Sequence, residues 1–223
     1  RLLTWRLAYQ DLLLELGQNH EEVEWLERLL ENPLFAKVPP SNVRAMLERL
    51  QRIELPAGST VLQEGDAGDS CYFLKNGRAE VIRGAGSAQQ VLAELEIGAC
   101  FGEEALLADS PRNATVTMLE DGTVLRLDRQ DFFALLKAPV VDEVSLGEAS
   151  RLLVAGAQWL DVRLQDEYER AHALQSLNMP LQLLRLKARL LDKQRTYLCY
   201  CDSGKRSSSA VFLLSQLGYR AYA

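Results

Sequence analysis

The sequence predicts two domains: an α+β unit, a β-roll with flanking helices, followed by an α/β unit built on a mainly parallel sheet. Three observations predict it. From Gly58 to Leu127, short β-rich runs alternate with turns at Gly58, Gly65, Gly68, Gly77, Gly98, Gly102 and Gly122. That rhythm suits an all-β roll or barrel. After about residue 143 the pattern becomes strand, helix, strand, which demands parallel strands covered on both faces. Residues 138–142 form the shortest credible linker between the two textures.

The elements follow in order. Residues 1–31 read as helical: Leu2, Leu3, Trp5, Leu12, Leu13 and Leu16 are apolar up to Gly17. Asn19 is a candidate N-cap with Glu22 three residues on, as in a capping box, and Trp25, Leu26, Leu29 and Leu30 form a stripe at helical spacing. Pro39-Pro40-Ser41 opens a helix over 42–52. The strands expected next are 71–74, 79–82, 91–93, 114–118 and 123–127. Asp128 caps a helix that Pro139 ends. Ser145 and Glu148 make a second capping box, opening a helix to about Val154. Residues 159–162 are a strand, Leu184, Ala188 and Leu191 mark a helix face, and Ala210, Leu214 and Leu217 mark another.

Composition narrows the function classes. Hydrophobic residues make up 48% of the 223 and charged residues 25%, the balance of an ordinary globular protein. Lys and Arg number 25 against 31 Asp and Glu, a net charge of −6, which argues against nucleic acid as the main partner. No apolar run approaches the roughly 20 residues needed to span a bilayer, and no signal-peptide pattern is present. Cys71, Cys100, Cys199 and Cys201 do not form a disulfide framework; free thiols in a reducing, cytoplasmic compartment fit better. No His/Cys cluster has metal-ligand spacing, so no metal is expected. The chain begins at Arg1 and reads as a fragment with an upstream domain missing.

Near the end stands Cys201-Asp202-Ser203-Gly204-Lys205-Arg206-Ser207. A cysteine ends a hydrophobic strand, a short loop follows, and a helix begins. Converging loop N–H groups and the helix N-terminus favour an anion there. Lys205 and Arg206 add full charges, and all three effects are expected to activate sulfur. Four residues separate Cys201 from Arg206. A cradle for a phosphate-sized oxyanion would be one residue longer, C-x5-R; the tighter loop suits one extra sulfur atom. The surroundings follow in order: 157–163 (A-Q-W-L-D-V-R), Asp166-Glu167-Tyr168, His172, Asn178-Met179-Pro180-Leu181 and 197–201. Residues 143–223 thereby resemble the rhodanese (sulfurtransferase) family. The resemblance implies that Cys201 carries a persulfide stabilised by Arg206 and the amides of Asp202, Ser203, Gly204 and Lys205. Gln175 stands where the family usually has Gly. The chain stops at Ala223, before the family's usual Gly-Gly stretch and final helix, so this domain is expected to be truncated.

A second site lies at 97–116. Phe101-Gly102 is a tight turn where a ligand can approach the backbone. Residues 103–107 form a short helix with free N–H groups, and Arg112 is placed for a charge-assisted bond to a phosphate oxygen. Glu103 fits there only if it accepts a hydrogen bond from the same ligand. With Pro56-Ala57-Gly58, the 64–69 turn, Asn76-Gly77 and F-G-E…P-R-x-A-T-V, residues 33–137 resemble the cyclic nucleotide-binding domains. The resemblance implies that Glu103 binds the ribose 2′-hydroxyl, Arg112 binds the cyclic phosphate, and amides near Gly102, Glu104 and Ala105 complete the cradle, with Asn113 and Ala114 closing the motif. Family members with Ala or Ser at position 113 often prefer cAMP and those with Thr prefer cGMP; Asn113 leaves the base open. The long helix that usually lids the base is reduced here to residues 128–137.

Each sharp reading has a bland counterpart. Cys201 could be a structural cysteine, but the intact loop favours a reactive thiol. Cys199, Cys71 and Cys100 read as core cysteines, and His172 as a structural hydrogen-bonding residue. Asp161 and Arg163 look like residues that frame the site. Glu103 and Arg112 could be a plain salt bridge, against which the intact Gly-Glu and Arg-x-Ala argue.

The expected organisation is N-terminal helices over 1–32, a cyclic nucleotide-binding domain over 33–140 and a rhodanese-like domain over 141–223, in a protein of bacterial type. Its expected function is that of a sulfurtransferase regulated by cAMP or cGMP, moving sulfur from a small-molecule donor to a thiol or cyanide acceptor, with a homodimer among its expected assemblies. The alternative is a nucleotide sensor whose second domain is a docking or redox-sensing surface without turnover. Phosphatase or arsenate reductase chemistry is a third reading, against which the C-x4-R loop argues.

Overall fold

The computed structural model describes residues 20–223 apart from 85, 87 and 88. The expected helix through Leu16 and the Asn19 cap lie outside the described residues. The chain divides into two compact units, one of residues up to Asn32 with Val38–Leu136, the other of Pro33–Lys37 with Lys137–Ala223. The sequence reading has residues 33–37 opening the first domain. In the structure the 3-10 turn Pro33–Ala36 packs instead on the last helix of the C-terminal unit.

The N-terminal unit begins with α1 (His20–Leu30) and α2 (Pro40–Arg49). Trp25, Leu26 and Leu29 are buried, as their spacing predicts. The second helix stops short of the expected residue 52. Leu50 turns extended (φ −65°, ψ 127°) and the chain enters β1 (Gln51–Leu55). Next come β2 (Thr60–Leu62), β3 (Ser70–Asn76), β4 (Ala79–Arg83), β5 (Gln90–Leu95) and β6 (Cys100–Phe101). Helix α3 (Glu103–Ala108) leads to β7 (Thr115–Met118) and β8 (Gly122–Asp128). The strands β1 and β2 were not among the expected β-rich runs because they are short or carry charge, and β6 is the strand that the Phe101-Gly102 turn leaves.

Two four-stranded antiparallel sheets result, ordered β1-β8-β3-β6 and β2-β7-β4-β5. Both contribute to one core: Tyr72, Leu74, Phe101 and Val124 from the first, Leu62, Ala79, Val116 and Met118 from the second. Burying each of the larger side chains stabilises the roll by about 1.5–3 kcal/mol. After β8, Asp128 sits at a helix N-cap with extended backbone, but its carboxylate pairs with Arg126 at 2.8 Å and makes no side-chain cap. Pro139 does not end the helical backbone. Phe132–Lys137 is a π-turn, and Ala138–Val140 is a further helical turn with the proline at its start, where its missing N–H is not needed.

In the C-terminal unit, α4 (Leu146–Val154) opens with the expected capping box: Ser145 Oγ accepts from Glu148 N and the Glu148 carboxylate accepts from Ser145 N. Then follow β9 (Gln158–Asp161), α5 (Gln165–Arg170), β10 (Leu177–Asn178), α6 (Leu181–Lys187), β11 (Thr196–Tyr200), α7 (Lys205–Gln216) and β12 (Arg220–Tyr222). The sheet is wholly parallel in the order β10-β9-β11-β12. Tyr197, Leu198 and Cys199 are buried in succession, the mark of a strand covered on both faces. Residues 210–214 of α7 are all buried, and the helix fills the space beside that strand.

Gln175 has φ 60°, the left-handed region, which explains why glycine suits this position. Its carbonyl accepts from Gln158 Nε2, so the bend has a role in holding β9. Gln175→Gly is expected to raise stability by about 0.5–1 kcal/mol, the left-handed cost of a side chain less the added freedom of glycine in the unfolded chain. Urea denaturation of the two proteins checks this; a lower midpoint for the glycine variant would show that the side chain outweighs the backbone.

Candidate functional sites

In the N-terminal unit, β6 ends at Phe101 and Gly102 caps α3 at φ 81°, a conformation that favours glycine. A Cβ on Gly102 would also come within 3.0 Å of Arg112 Nη1. Glu103 and Arg112 are both buried, at 2% and 4% exposure. Arg112 Nη1 donates to the Gly102 carbonyl at 2.5 Å, Nη2 donates to the Ser70 carbonyl at 2.7 Å, and Asp69 lies 3.4 Å away. Its own backbone is fastened to the first turn, with Arg112 N donating to Asp66 O at 2.7 Å and Gly65 N to Arg112 O at 2.9 Å. A buried charge thus gathers three segments, 65–70, 102 and 112, around one guanidinium. Ala105 and Ala114 are buried, and Gly68 packs so closely on Ala105 that a Cβ would meet it at 2.7 Å.

Asn113 is exposed, and its amide donates to Glu104 Oε2 at 2.6 Å. All seven predicted residues of this cassette therefore lie on the β6–α3 turn or the strand entry that faces it. Asp69 and Ser70 were missed as partners of Arg112, although Asp69 lay within the motif quoted for the first turn.

In the C-terminal unit, Asp161 and Cys201 leave the C-terminal ends of neighbouring parallel strands, where open α/β sheets place their sites. Gly204 (φ 78°) caps α7. Ser207 N donates to Cys201 Sγ at 3.4 Å, and the thiol donates to Ser207 Oγ at 3.7 Å. Burial pushes the Cys201 thiol up, but the Ser207 amide and hydroxyl, then the amides of Ser203 and Arg206, outweigh it and leave the thiol below its ordinary value. Of the amides the sequence points to, those of Asp202, Ser203, Gly204 and Lys205, Ser203's is the one among these leading causes; the others come from Ser207 and Arg206, at the start of α7. The Arg206 guanidinium is engaged elsewhere: Nη1 and Nη2 meet the Glu167 carboxylate at 2.7 and 2.8 Å, and Nη2 meets Asp202 at 2.7 Å. Hydrogen bonds from Arg206, with the Leu164 amide, draw the Glu167 carboxyl down to about 2. Ser203, Gly204 and Lys205 are exposed on the loop.

Asp161 is fully buried and Arg163 grips it through Nε and Nη2, while Nη2 also donates to the Ala171 carbonyl. Asn178 donates to the carbonyls of Asp161 and Arg163 at 3.2 and 3.1 Å, which gives the N-x-P-L motif its function as a strap. His172 Nδ1 lies 2.8 Å from the Tyr168 carbonyl, and its ring stacks on Tyr168 at 3.9 Å, a structural role. Cys199 is buried, and burial, then the neighbouring Cys201, pushes its thiol well above the ordinary range. Sequence reasoning missed two residues: Glu167, visible only as part of a motif, and Ser207, noted only as the position after Arg206.

The lowered Cys201 thiol has a checkable consequence. The thiolate is the reactive form, so its alkylation by iodoacetamide should rise with pH to a plateau whose midpoint lies below the usual thiol value of about 8.5. The rate is read by mass spectrometry on the Cys201 peptide. A midpoint at or above the usual value would mean that burial wins over the amides.

Among the described residues, no group of three or more His, Cys, Asp or Glu could hold a metal ion, and no helix is long and apolar enough to cross a membrane. Comparison with known proteins matches residues 52–138 to the model of the cyclic nucleotide-binding domain and residues 145–223 to that of the rhodanese-like domain. The cAMP-dependent protein kinase regulatory subunit of Aspergillus fumigatus is 38% identical over 122 residues, 55% of this chain and 29% of that protein. The cyclic AMP receptor protein of Thermus thermophilus is 34% identical over 107 residues, 48% of this chain and 50% of that protein. The chain thus spans half or less of the length of these relatives. Among solved structures, the cAMP-bound PfPKA-R (141-441) aligns with a TM-score of 0.53 at 21% identity, covering 88% of this chain and 55% of that one, a likeness of fold.

Proposed function

We propose that this chain, a cyclic nucleotide-binding domain followed by a rhodanese-like domain, is a sulfurtransferase whose activity responds to a cyclic nucleotide. The observation that carries the reading is the Cys201 sulfur, which accepts from the Ser207 amide at 3.4 Å at the head of α7 and is held below its ordinary pKa. A thiolate so placed attacks a sulfane sulfur and keeps it as a persulfide, which the loop amides stabilise as an anion. A thiol or cyanide then removes it. The amides of Asp202, Gly204 and Lys205 complete the loop's role, and the Arg206 side chain fixes the loop by way of Glu167 and Asp202.

The nucleotide reading rests on the buried Arg112 and Glu103 beside the Gly102 turn, and on relatives named for cAMP. Arg112 receives the cyclic phosphate, Glu103 the ribose 2′-hydroxyl, and the amides from Gly102 to Ala105 complete the cradle. cAMP is the favoured ligand, with cGMP as the competitor that Asn113 must discriminate. Four free cysteines favour a reducing, cytoplasmic setting.

The test is the intact mass of the chain after exposure to excess thiosulfate, with and without cAMP. A gain of about 32 Da, one sulfur atom, that cAMP alters in extent supports the reading. No gain under any condition leaves the alternative, a nucleotide sensor with a non-catalytic docking domain.

A further inference from the structure

Helix α6 and the 3-10 turn that continues it (Ala188–Leu190) carry two apolar stripes instead of one. Leu181, Leu184, Ala188 and Leu191 are buried, and the helix packs against α7. Leu183, Leu186 and Leu190 stand on the other side, 38%, 66% and 74% exposed. Their spacing of three and then four residues lines them up along one face. A single exposed leucine is ordinary, but a helix that is apolar on opposite faces is normally covered on both. The inward stripe accounts for the packing and leaves the outer one unexplained. Charge surrounds that outer stripe. Residues 181–195 hold five Lys or Arg and one acid, in a chain of net charge −6. Lys187 and Arg189 flank the leucines, are exposed and form no ion pair among the described residues.

The outer face is small for a protein partner. A stable protein interface buries about 800 Å² per partner and is anchored by aromatic or Arg side chains seated in pockets. Three leucines offer far less, and no aromatic residue occurs in 181–195. Pairing with the same face of a second copy would set Lys187 and Arg189 against their own like charges. An anionic bilayer asks for neither a large area nor a pocket. It takes leucines among its acyl chains and lysine and arginine at its headgroups. We infer that the outer face of α6 docks on an anionic phospholipid surface, with Leu183, Leu186 and Leu190 inserted and Lys187 and Arg189 at the lipid phosphates. The stripe is short, so the attachment is reversible and needs the leucines and the cations together. It is independent of the chemistry at Cys201.

The experiment measures partitioning of the full chain onto sedimented vesicles, one set of phosphatidylcholine alone and one of phosphatidylcholine with phosphatidylserine. The serine-containing vesicles should bind about tenfold tighter or more, and the difference should shrink as salt rises. Leu186→Gln with Leu190→Gln should weaken that binding about tenfold or more, because two apolar side chains leave the acyl layer. Lys187→Gln with Arg189→Gln should weaken it about tenfold and remove most of the preference for anionic lipid. All four positions are exposed, so both double variants should unfold at the wild-type midpoint. Leu146→Gln, at an exposed leucine of α4, should stay within about threefold of wild type and controls for general stickiness. Equal binding to the two vesicles, none included, overturns the inference. So do double variants that bind like the wild type, or an equal loss in Leu146→Gln. A chain that ignores vesicles but sediments as a dimer, which Leu186→Gln with Leu190→Gln dissociates, overturns it too and gives the face to a second copy.

Discussion

Cys201→Ala is expected to cut sulfur loading at least about a thousandfold, to background, because the atom that makes the new bond is gone and nothing nearby replaces it. The candidates for rescue are poor. Ser207 Oγ, 3.7 Å from the sulfur, is a hydroxyl that stays protonated at neutral pH. The thiol of Cys199 lies under the sheet surface. Stability should change little, by about 1 kcal/mol or less, since Cys201 is only half-buried and the loop beside it, exposed at Asp202 to Lys205, leaves water to replace the sulfur as acceptor. Thermal unfolding beside a thiocyanate assay reads both quantities. Residual turnover above a few per cent in a folded variant would mean that the chemistry sits on another residue.

The second large effect is expected at Arg112. Arg112→Ala should weaken cAMP binding by about a hundredfold or more, given about 1.5–3 kcal/mol for a charged hydrogen bond to phosphate and further loss from a disordered cradle. It should also destabilise the N-terminal unit. The Gly102 and Ser70 carbonyls would each lose a buried donor, at about 1–3 kcal/mol apiece. Arg112→Lys separates the two roles: the charge remains, but a single ammonium cannot reach both carbonyls in the geometry of the fork. Titration calorimetry with cAMP and unfolding of all three proteins decide the matter. Affinity in Arg112→Ala within about threefold of wild type would remove Arg112 from the nucleotide site.

Much of the roll and of the parallel sheet was legible in the sequence because their strands alternate or run apolar and their turns are marked by glycine. The Ser145 capping box was legible for the same reason, as its partners are three residues apart. What escaped has a common cause. The strand 51–55 follows a helix without punctuation, since Leu50 changes backbone region with no glycine or proline to announce it. Pro139 gave a false stop because a proline at the first position of a turn is harmless. The partners of Arg206 were hidden by distance along the chain: Glu167 lies 39 residues away, and a basic residue in a loop invites the assumption that its charge serves the loop. Sequence motifs picked out both candidate sites. The third dimension assigned the guanidinium to carboxylates and the sulfur to amides.

Cys199 stands two residues from Cys201, yet its thiol is sealed in and held protonated. A protonated, enclosed thiol cannot collect a sulfur from its neighbour. On the sulfurtransferase reading, a loaded Cys201 would therefore have no drain at Cys199, and its cargo would wait for a nucleophile from solution. Occupancy of that single position would then be a running balance between the supply of donor and the demand of acceptor, and the fraction loaded would itself gauge sulfur status.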